Sequence, residues 1–242
     1  MKQEYFRVAR RVGTSAGVIL PVKLLGATVK INIVEEPVNP LIDSLKIVEK
    51  NELAGEVLGI VLAGSYARGD YEVGSDVDIL VISSKKNLMI NEGRYSILVM
   101  SLDVLKKRLV SDVIVYSMIV EGECILNKSL LDELKGICNK KSVLKNYVVA
   151  TLGVLKKLEK MIDLDEKLGN KLTGDSVGYS LVLRIRGLLY LNEKYNKKKL
   201  KKIVGDNIYE RYLLVKSGKM GNGVEIEKAK ELINYLRGAL NG

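Results

Sequence analysis

The sequence predicts an α/β (α+β) chain: a mixed sheet with flanking helices, preceded by a β-hairpin module and followed by a helical bundle. Three observations lead there. Two apolar runs of strand length, over residues 57–63 and 77–82, stand either side of a turn rich in Gly, Ser and Asp. A period of two runs through residues 28–35, with Val29, Ile31 and Ile33 on one face against Lys30 and Asn32 on the other. From Ser129 onward the apolar period becomes helical. With 242 residues, 47% of them hydrophobic and 28% charged, the chain is long enough for one large domain or two modest ones with their own cores.

In order from the N-terminus, residues 5–12 read as a basic strand carrying Arg7, Arg10 and Arg11 among Phe6, Val8 and Val12. Residues 13–17 form a turn of small residues, 18–21 a short strand, and 24–26 a helical turn before the alternating strand 28–35. Residues 35–40 hold two of the three prolines and read as a linker. Leu41, Leu45, Val48 and Leu53 mark an amphipathic helix leading into the strand 57–63. Gly64 and Ser65 then open a short helical turn, with Ser65 as a good N-cap residue. A polar link over 83–87 precedes a strand over 94–100, and Ser101 is placed to cap the helix after it. Residues 112–120 read as helix and 121–126 as a short returning strand.

In the C-terminal part, Val143, Tyr147, Ala150, Val154, Leu158 and Met161 make one stripe. Asp175 and Ser176 cap the next helix, whose core face is Val177, Leu181, Ile185 and Leu188 and whose second stripe is Tyr179, Leu183, Arg186 and Tyr190. Residues 194–202 are the densest lysine run, either a solvated helix face or a nucleic-acid contact. Residues 216–223, with Gly218, Gly221 and Gly223, follow no strand and read as a flexible connector; a last amphipathic helix covers 225–240.

Composition narrows the chemistry. Thirty-nine basic residues against 29 acidic ones give a net charge of +10, which favours polyanions such as nucleotides, DNA or RNA. Histidine is absent, so Ser-His-Asp and Cys-His sites, histidine-ligated metals and histidine bases are excluded. Cys124 and Cys138 offer neither a disulfide framework nor a zinc spacing and are expected in the core. No apolar run nears membrane-spanning length and no signal-peptide pattern follows Met1, so the expected location is the cytoplasm.

The chemistry concentrates in residues 57–82. On a strand beginning Asp76-Val77-Asp78, alternation sends both acids to one side. Two neighbouring carboxylates are costly to desolvate unless a divalent cation lies between them, and Mg²⁺ (or Mn²⁺) suits a site completed by phosphates and water. Gly64 allows close backbone approach, the N–H groups at Ser65 can meet a phosphate, and Arg68 lies one turn on as a fork of donors. The row Tyr179, Arg186 and Tyr190 could stack a base or meet phosphates if it faces the dyad, or form the rim of a bundle if it does not.

The stretch Gly64-Ser65-x-Ala67-Arg68-Gly69, followed by Ser75-Asp76-x-Asp78 and an apolar strand, resembles the signature of the DNA polymerase β-like nucleotidyltransferase superfamily, closest to its minimal prokaryotic and archaeal branch. The resemblance implies a nucleotidyltransferase domain over 37–127 and a helical domain over 128–242. It implies Mg²⁺-dependent transfer of a nucleoside monophosphate from ATP or another NTP to a protein hydroxyl, a small molecule or RNA, with release of pyrophosphate. Asp76, Asp78 and Ser65 would be catalytic, with the two aspartates on the metal; Gly64, Ser65, Arg68, Tyr179 and Arg186 would bind the nucleotide. In that family a third carboxylate assists the metal and deprotonates the acceptor, and the position aligned with it here is Ser96. Glu92 and Asp103 are nearby substitutes; in some relatives a helical-domain acid is the base, which points to Glu159 or Asp163.

A second string, Arg11-Val12-Gly13-Thr14-Ser15-x-Gly17-Val18-x-Leu20-Pro21 with Leu25-Gly26-x-x-Val29, resembles an AbrB-type swapped-hairpin module over residues 1–36. That resemblance implies a homodimer, and DNA contacts by Arg7, Arg10 and Arg11. The alternative function is therefore a DNA-binding regulator or scaffold whose nucleotidyltransferase domain senses nucleotide but is catalytically impaired. No membrane partner is expected on either reading.

Overall fold

A computed structural model describes residues 5, 7–33, 37–72, 74–192 and 195–241 of the chain, which divides into two compact units, Met1–Pro37 and Val38–Gly242. In the first unit β1 (Arg10–Val12) pairs antiparallel with β2 (Ser15–Gly17) around a turn in which Gly13 takes a φ of 60°. A 3₁₀ turn follows over Val22–Leu24. The ribbon is shorter than the sequence pattern predicts. Residues 7–9, 18–21 and 28–33 carry no strand, and Val29, Ile31 and Ile33 are exposed. Alternation alone does not make a strand; it needs a neighbour for its N–H and C=O groups, and a two-stranded ribbon is marginal by itself. Phe6 and residues 34–36, which fall in the two expected strands and the linker, lie outside the described residues. None of the described residues before Pro37 is buried; Arg7, Arg10 and Arg11 are exposed, and Arg11 donates to the Gly13 carbonyl at 2.9 Å.

The second unit is built on a five-stranded mixed sheet. Helix α1 (Pro40–Lys50), started by the Asn39 side chain accepting from the Ile42 N–H, leads to β3 (Val57–Ala63), which runs straight into α2 (Gly64–Arg68). Then come β4 (Val77–Ser83), β5 (Leu88–Glu92), β6 (Tyr95–Ser101), the helices α3 (Leu102–Leu109) and α4 (Val113–Val120), and β7 (Glu123–Leu126). The order across the sheet is β5-β6-β4-β3-β7; β4 and β6 are parallel and the other pairs antiparallel. The central strands are mostly apolar because both faces are covered, Asp78 and Ser96 standing at the ends of β4 and β6 where the site lies. Ile60, Leu62, Val77, Ile79, Val81, Ile97 and Val99 pack with Ile47, Val48 and Leu53. Val61, Leu80, Ile82 and Met100 pack on the other side against Leu105, Leu109, Val115 and Ile119, and against Leu131 and Leu134 of α5 (Lys128–Ile137).

The remaining elements are α6 (Lys140–Lys167), β8 (Leu172–Thr173), α7 (Asp175–Asn192), α8 (Lys197–Val204), α9 (Asp206–Lys216), β9 (Val224–Glu225) and α10 (Ile226–Asn241), with β8 and β9 paired antiparallel. Their common core includes Tyr147, Leu155, Val177, Leu181, Ile185, Leu188, Leu200, Ile208, Leu232 and Leu236. The α7 core stripe is the one the sequence pattern gives.

Two helix faces are rotated from the expected ones. On α1 the buried residues are Ser44, Ile47 and Val48, while Leu41 and Leu45 are exposed. On α6 the face after Tyr147 runs through Thr151, Leu155, Leu158 and Ile162, leaving Ala150 and Met161 exposed. In both cases several apolar stripes are available, and packing against the sheet or α7 selects among them. Cys124 is exposed and Cys138 half-buried, so neither is a fully buried core residue. Among the described residues no helix is long and apolar enough to cross a membrane.

Candidate functional site

The site forms where β3 ends. Gly64 turns the chain with a φ of 66°, a left-handed conformation that disfavours any side chain. A Cβ there would lie 2.9 Å from Asp78 Cγ and 3.1 Å from its Cβ, and closer still to Oδ2. The Asp78 carboxylate therefore sits directly on the bare backbone of Gly64. The N-cap of α2 is Ala63, not Ser65, because the left-handed glycine already belongs to the helical turn; Ser65 lies within the first turn and lines the cavity in front of it. Gly69 closes α2 with a φ of 72°.

Register sets the acids. Ala63 pairs with Asp78 across β3 and β4, so Asp78 takes the face opposite Val77 and Ile79. Asp76 precedes the strand by one residue, and both aspartates line the same cavity of about 340 Å³. Ser65, Arg68, Asp70 and Glu72 complete the sheet-side wall, and Arg186, Tyr195, Lys197, Tyr209, Tyr212 and Lys216 form the helical one. A smaller cavity of about 80 Å³ is lined by Gly64, Arg68, Asp78, Glu121, Arg186 and Tyr190, among others.

Charges in this cleft are paired across it. Lys216 Nζ lies 2.6 Å from Asp76 Oδ2, and Lys197 pairs with Glu72. Arg68 reaches Glu121 at 3.2 Å, Asp70 at 3.3 Å and the Tyr190 hydroxyl at 3.3 Å, with the Tyr195 ring 4.7 Å from its Cζ. Arg186 donates to the hydroxyls of Tyr190 (3.0 Å) and Tyr212 (3.1 Å). Burial pushes the Asp78 carboxyl above its usual range; Lys216 and Arg186 pull it partly back, while Asp76 adds to the rise. Burial also raises the Glu121 carboxyl, against the pull of Arg68. For Lys216 the burial that would lower its pKa is outweighed by Asp76, and the ammonium is held above its usual value.

The expected residues are thus brought together, with one exception. Gly64, Ser65, Arg68, Asp76, Asp78 and Arg186 surround the two cavities, but Tyr179 stands one layer behind, stacked on Tyr212 at 5.3 Å between ring centroids. Ser96 pairs directly with Asp78 in the parallel β4–β6 ladder, so the position aligned with a third carboxylate holds a hydroxyl. The substitutes lie elsewhere: Glu92 pairs with Lys50 at 2.8 Å, Asp103 sits in the first turn of α3, and Glu159 is held by Arg237 at 2.8 Å. None of these, nor Asp163, lines either cavity.

Lys216, Tyr209, Tyr212 and Glu121 were not marked as site residues by the sequence; Tyr195 and Lys197 fall in the lysine run 194–202, which was read as a solvated face or a nucleic-acid contact and not as part of this cleft. A pair of tyrosines three apart on α9 was the local signal for the other two aromatic residues. The segment after Lys216 is not a free connector either: the Asp175 carboxylate accepts the Gly221 N–H at 2.7 Å and the Gly223 N–H at 3.0 Å. Ser101 is the N-cap of α3 by position, but its side chain makes no capping bond and takes one from Asn87 instead.

The profile of the nucleotidyltransferase domain family matches residues 42–169, just over half of the chain and the whole of the glycine turn and aspartate pair. The chain belongs to the nucleotidyltransferase domain family. Within that family, an 81-residue stretch is 36% identical to the Methanocaldococcus jannaschii protein MJ0604, named as a candidate protein adenylyltransferase; the match covers 34% of this chain and 70% of that protein. Among solved structures, spectinomycin adenyltransferase AAD(9) from Enterococcus faecialis aligns with 15% identity and a TM-score of 0.46, over 84% of this chain and 98% of its own. A nucleotidyltransferase-like protein from Exiguobacterium sibiricum aligns with 14% identity and a TM-score of 0.38, over 84% and 75% of the two chains.

Family membership brings a divalent metal into question, and the donors bear on it. Among the described residues no cluster of three or more Asp, Glu, Cys or His is suited to a metal. Two carboxylates face one cavity, and the Lys216 ammonium stands at Asp76, where a divalent cation completed by phosphate and water would have to displace it.

Proposed function

We propose that this nucleotidyltransferase moves a nucleoside monophosphate from an NTP to an acceptor oxygen and releases pyrophosphate. The observation that carries this reading is the seating of Asp78 on Gly64, in a cleft that also holds Asp76, Ser65, Arg68 and Arg186. Asp76 and Asp78 would hold Mg²⁺ or Mn²⁺, whose charge would offset that of the phosphates. Gly64 leaves room for the Asp78 carboxylate against the backbone, and the N–H groups and hydroxyl at Ser65 would meet a phosphate in the cavity in front of it. Arg68 exchanges its bonds to Asp70 and Glu121 for phosphate oxygens, and Arg186, held by two tyrosine hydroxyls, keeps a fixed cation opposite. The acceptor oxygen bonds to the α-phosphorus as the bond to the bridging α–β oxygen breaks. With Ser96 beside Asp78, the acceptor proton leaves to solvent.

The name of MJ0604 supports ATP as donor and a protein hydroxyl as acceptor; a small molecule or RNA would fit the same chemistry. The decisive measurement is binding of Mg-ATP by calorimetry, together with transfer of labelled AMP, in wild type and Asp76→Ala. We expect loss of transfer by at least about a hundredfold; an unchanged rate overturns the reading. Ser96 favours a second reading, a nucleotide-sensing regulator whose N-terminal hairpin dimerises and binds DNA through Arg7, Arg10 and Arg11. Mg-ATP binding without turnover, combined with DNA binding lost in Arg10→Ala and Arg11→Ala, would establish it instead.

A further inference from the structure

Arg94 lines neither cavity, yet it holds two elements that do. It lies between Gly93, whose φ is 57°, and the first residue of β6. Its Nη2 donates to the Ser75 carbonyl and to Tyr66 Oη, both at 2.8 Å. Its own carbonyl accepts the Val77 N–H at 2.8 Å. Ser75 and Val77 are the neighbours of Asp76 on either side, so one residue brackets the backbone of Asp76 from before and after. Tyr66 follows Ser65 on α2, so the same guanidinium ties that bracket to the turn against which Asp78 is seated.

Asp76 needs such a bracket because it lies outside the β4 ladder. It ends a loop containing Gly69 and Gly74, both at positive φ. Further contacts close that loop without reaching the Asp76 side chain: Glu72 N–H donates to Ser75 Oγ at 2.8 Å, and the Tyr66 and Tyr71 rings stack at 4.3 Å. A planar guanidinium can serve two acceptors in fixed directions, which a lysine ammonium on a flexible stem does poorly.

We propose that Arg94 is a positioning residue that sets the spacing of Asp76 from Asp78 and from the Gly64–Ser65 turn, and thereby the affinity for a divalent cation. This rests on the reading of the two aspartates as metal ligands. Groups one shell behind a metal ligand commonly govern affinity by 10–100-fold.

The test is binding of Mn²⁺ to the full chain in the presence of ATP, followed by the resonance signal of free Mn²⁺, in wild type, Arg94→Met, Arg94→Lys, Tyr66→Phe and Asp76→Ala. Arg94→Met should raise the half-saturating Mn²⁺ concentration by about ten- to a hundredfold. Arg94→Lys should fall between it and wild type. Tyr66→Phe should shift it only a few-fold, since the Ser75 and Val77 bonds remain. Unchanged half-saturation in a folded Arg94→Met overturns the inference. If that variant does not fold, Arg94→Lys decides in the same way, because it keeps the charge and most of the stem. Wild type that binds no Mn²⁺ with ATP removes the metal-site reading itself. Loss in Asp76→Ala without any change at Arg94 leaves that reading intact and removes this one.

Discussion

Replacing Gly64 by alanine separates two costs that usually come together. The first is conformational: a φ of 66° places an alanine in the left-handed region, at about 1–2 kcal/mol. The second is steric. The new Cβ would stand 2.9 Å from Asp78 Cγ, closer than non-bonded carbons approach, so either the carboxylate swings away or β3 and β4 part locally. Forcing a methyl group into a filled site adds about 1–3 kcal/mol. Gly69 supplies the control. Its φ is 72° and nothing lies within 4 Å of where its Cβ would be. Gly69→Ala should therefore lose only the conformational part, about 1–2 kcal/mol, and keep Mg-ATP binding. Gly64→Ala should lose about 2–5 kcal/mol in denaturant titration and weaken Mg-ATP binding by a hundredfold or more, because displacing Asp78 by an ångström misplaces a ligand. Equal losses of stability and binding in the two variants would refute the claim that Asp78 is seated on Gly64.

Two further outcomes follow from the same cleft. Burial holds the Asp78 carboxyl above its ordinary 3.8, so the folded chain keeps that proton more tightly than the unfolded one. The resulting contribution to stability is complete below pH 3.8 and lost as pH rises through the folded value; at neutral pH the ionised group is a cost. Asp78→Asn should thus stabilise the metal-free chain at pH 7 by on the order of 1 kcal/mol while abolishing Mg-ATP binding, with the gain shrinking toward acid pH; melting curves across pH check it, and no gain at pH 7 contradicts it. Asp175→Ala removes the acceptor of both the Gly221 and Gly223 N–H groups and should cost about 3 kcal/mol, with faster proteolytic cutting over residues 217–223; wild-type protection of that segment would contradict the assignment.

How much of this was legible in the sequence depends on how far each effect reaches along the chain. The strands β3 and β4 announced themselves because continuous apolar runs need two covered faces, and the Gly-Ser and Asp-x-Asp pairs flank them directly. Arg186 was legible because a helix places it on one stripe with Tyr190, and Tyr190 holds its guanidinium. The alternating pattern misled over residues 28–33, since a period of two describes which faces a strand would present and not whether a neighbouring strand exists. Lys216, Glu121 and Arg94 left no local mark. A long side chain reaches wherever the crossing of helix and sheet aims it, and no window of sequence contains that crossing. Gly64 shows the two regimes meeting. Alternation along β4 gives the face of Asp78, but only the pairing of Ala63 with Asp78 brings that carboxylate onto the glycine backbone. The demand for a residue without a side chain is thus made by a different strand, and a glycine that reads locally as a turn is in fact the floor on which the acid rests.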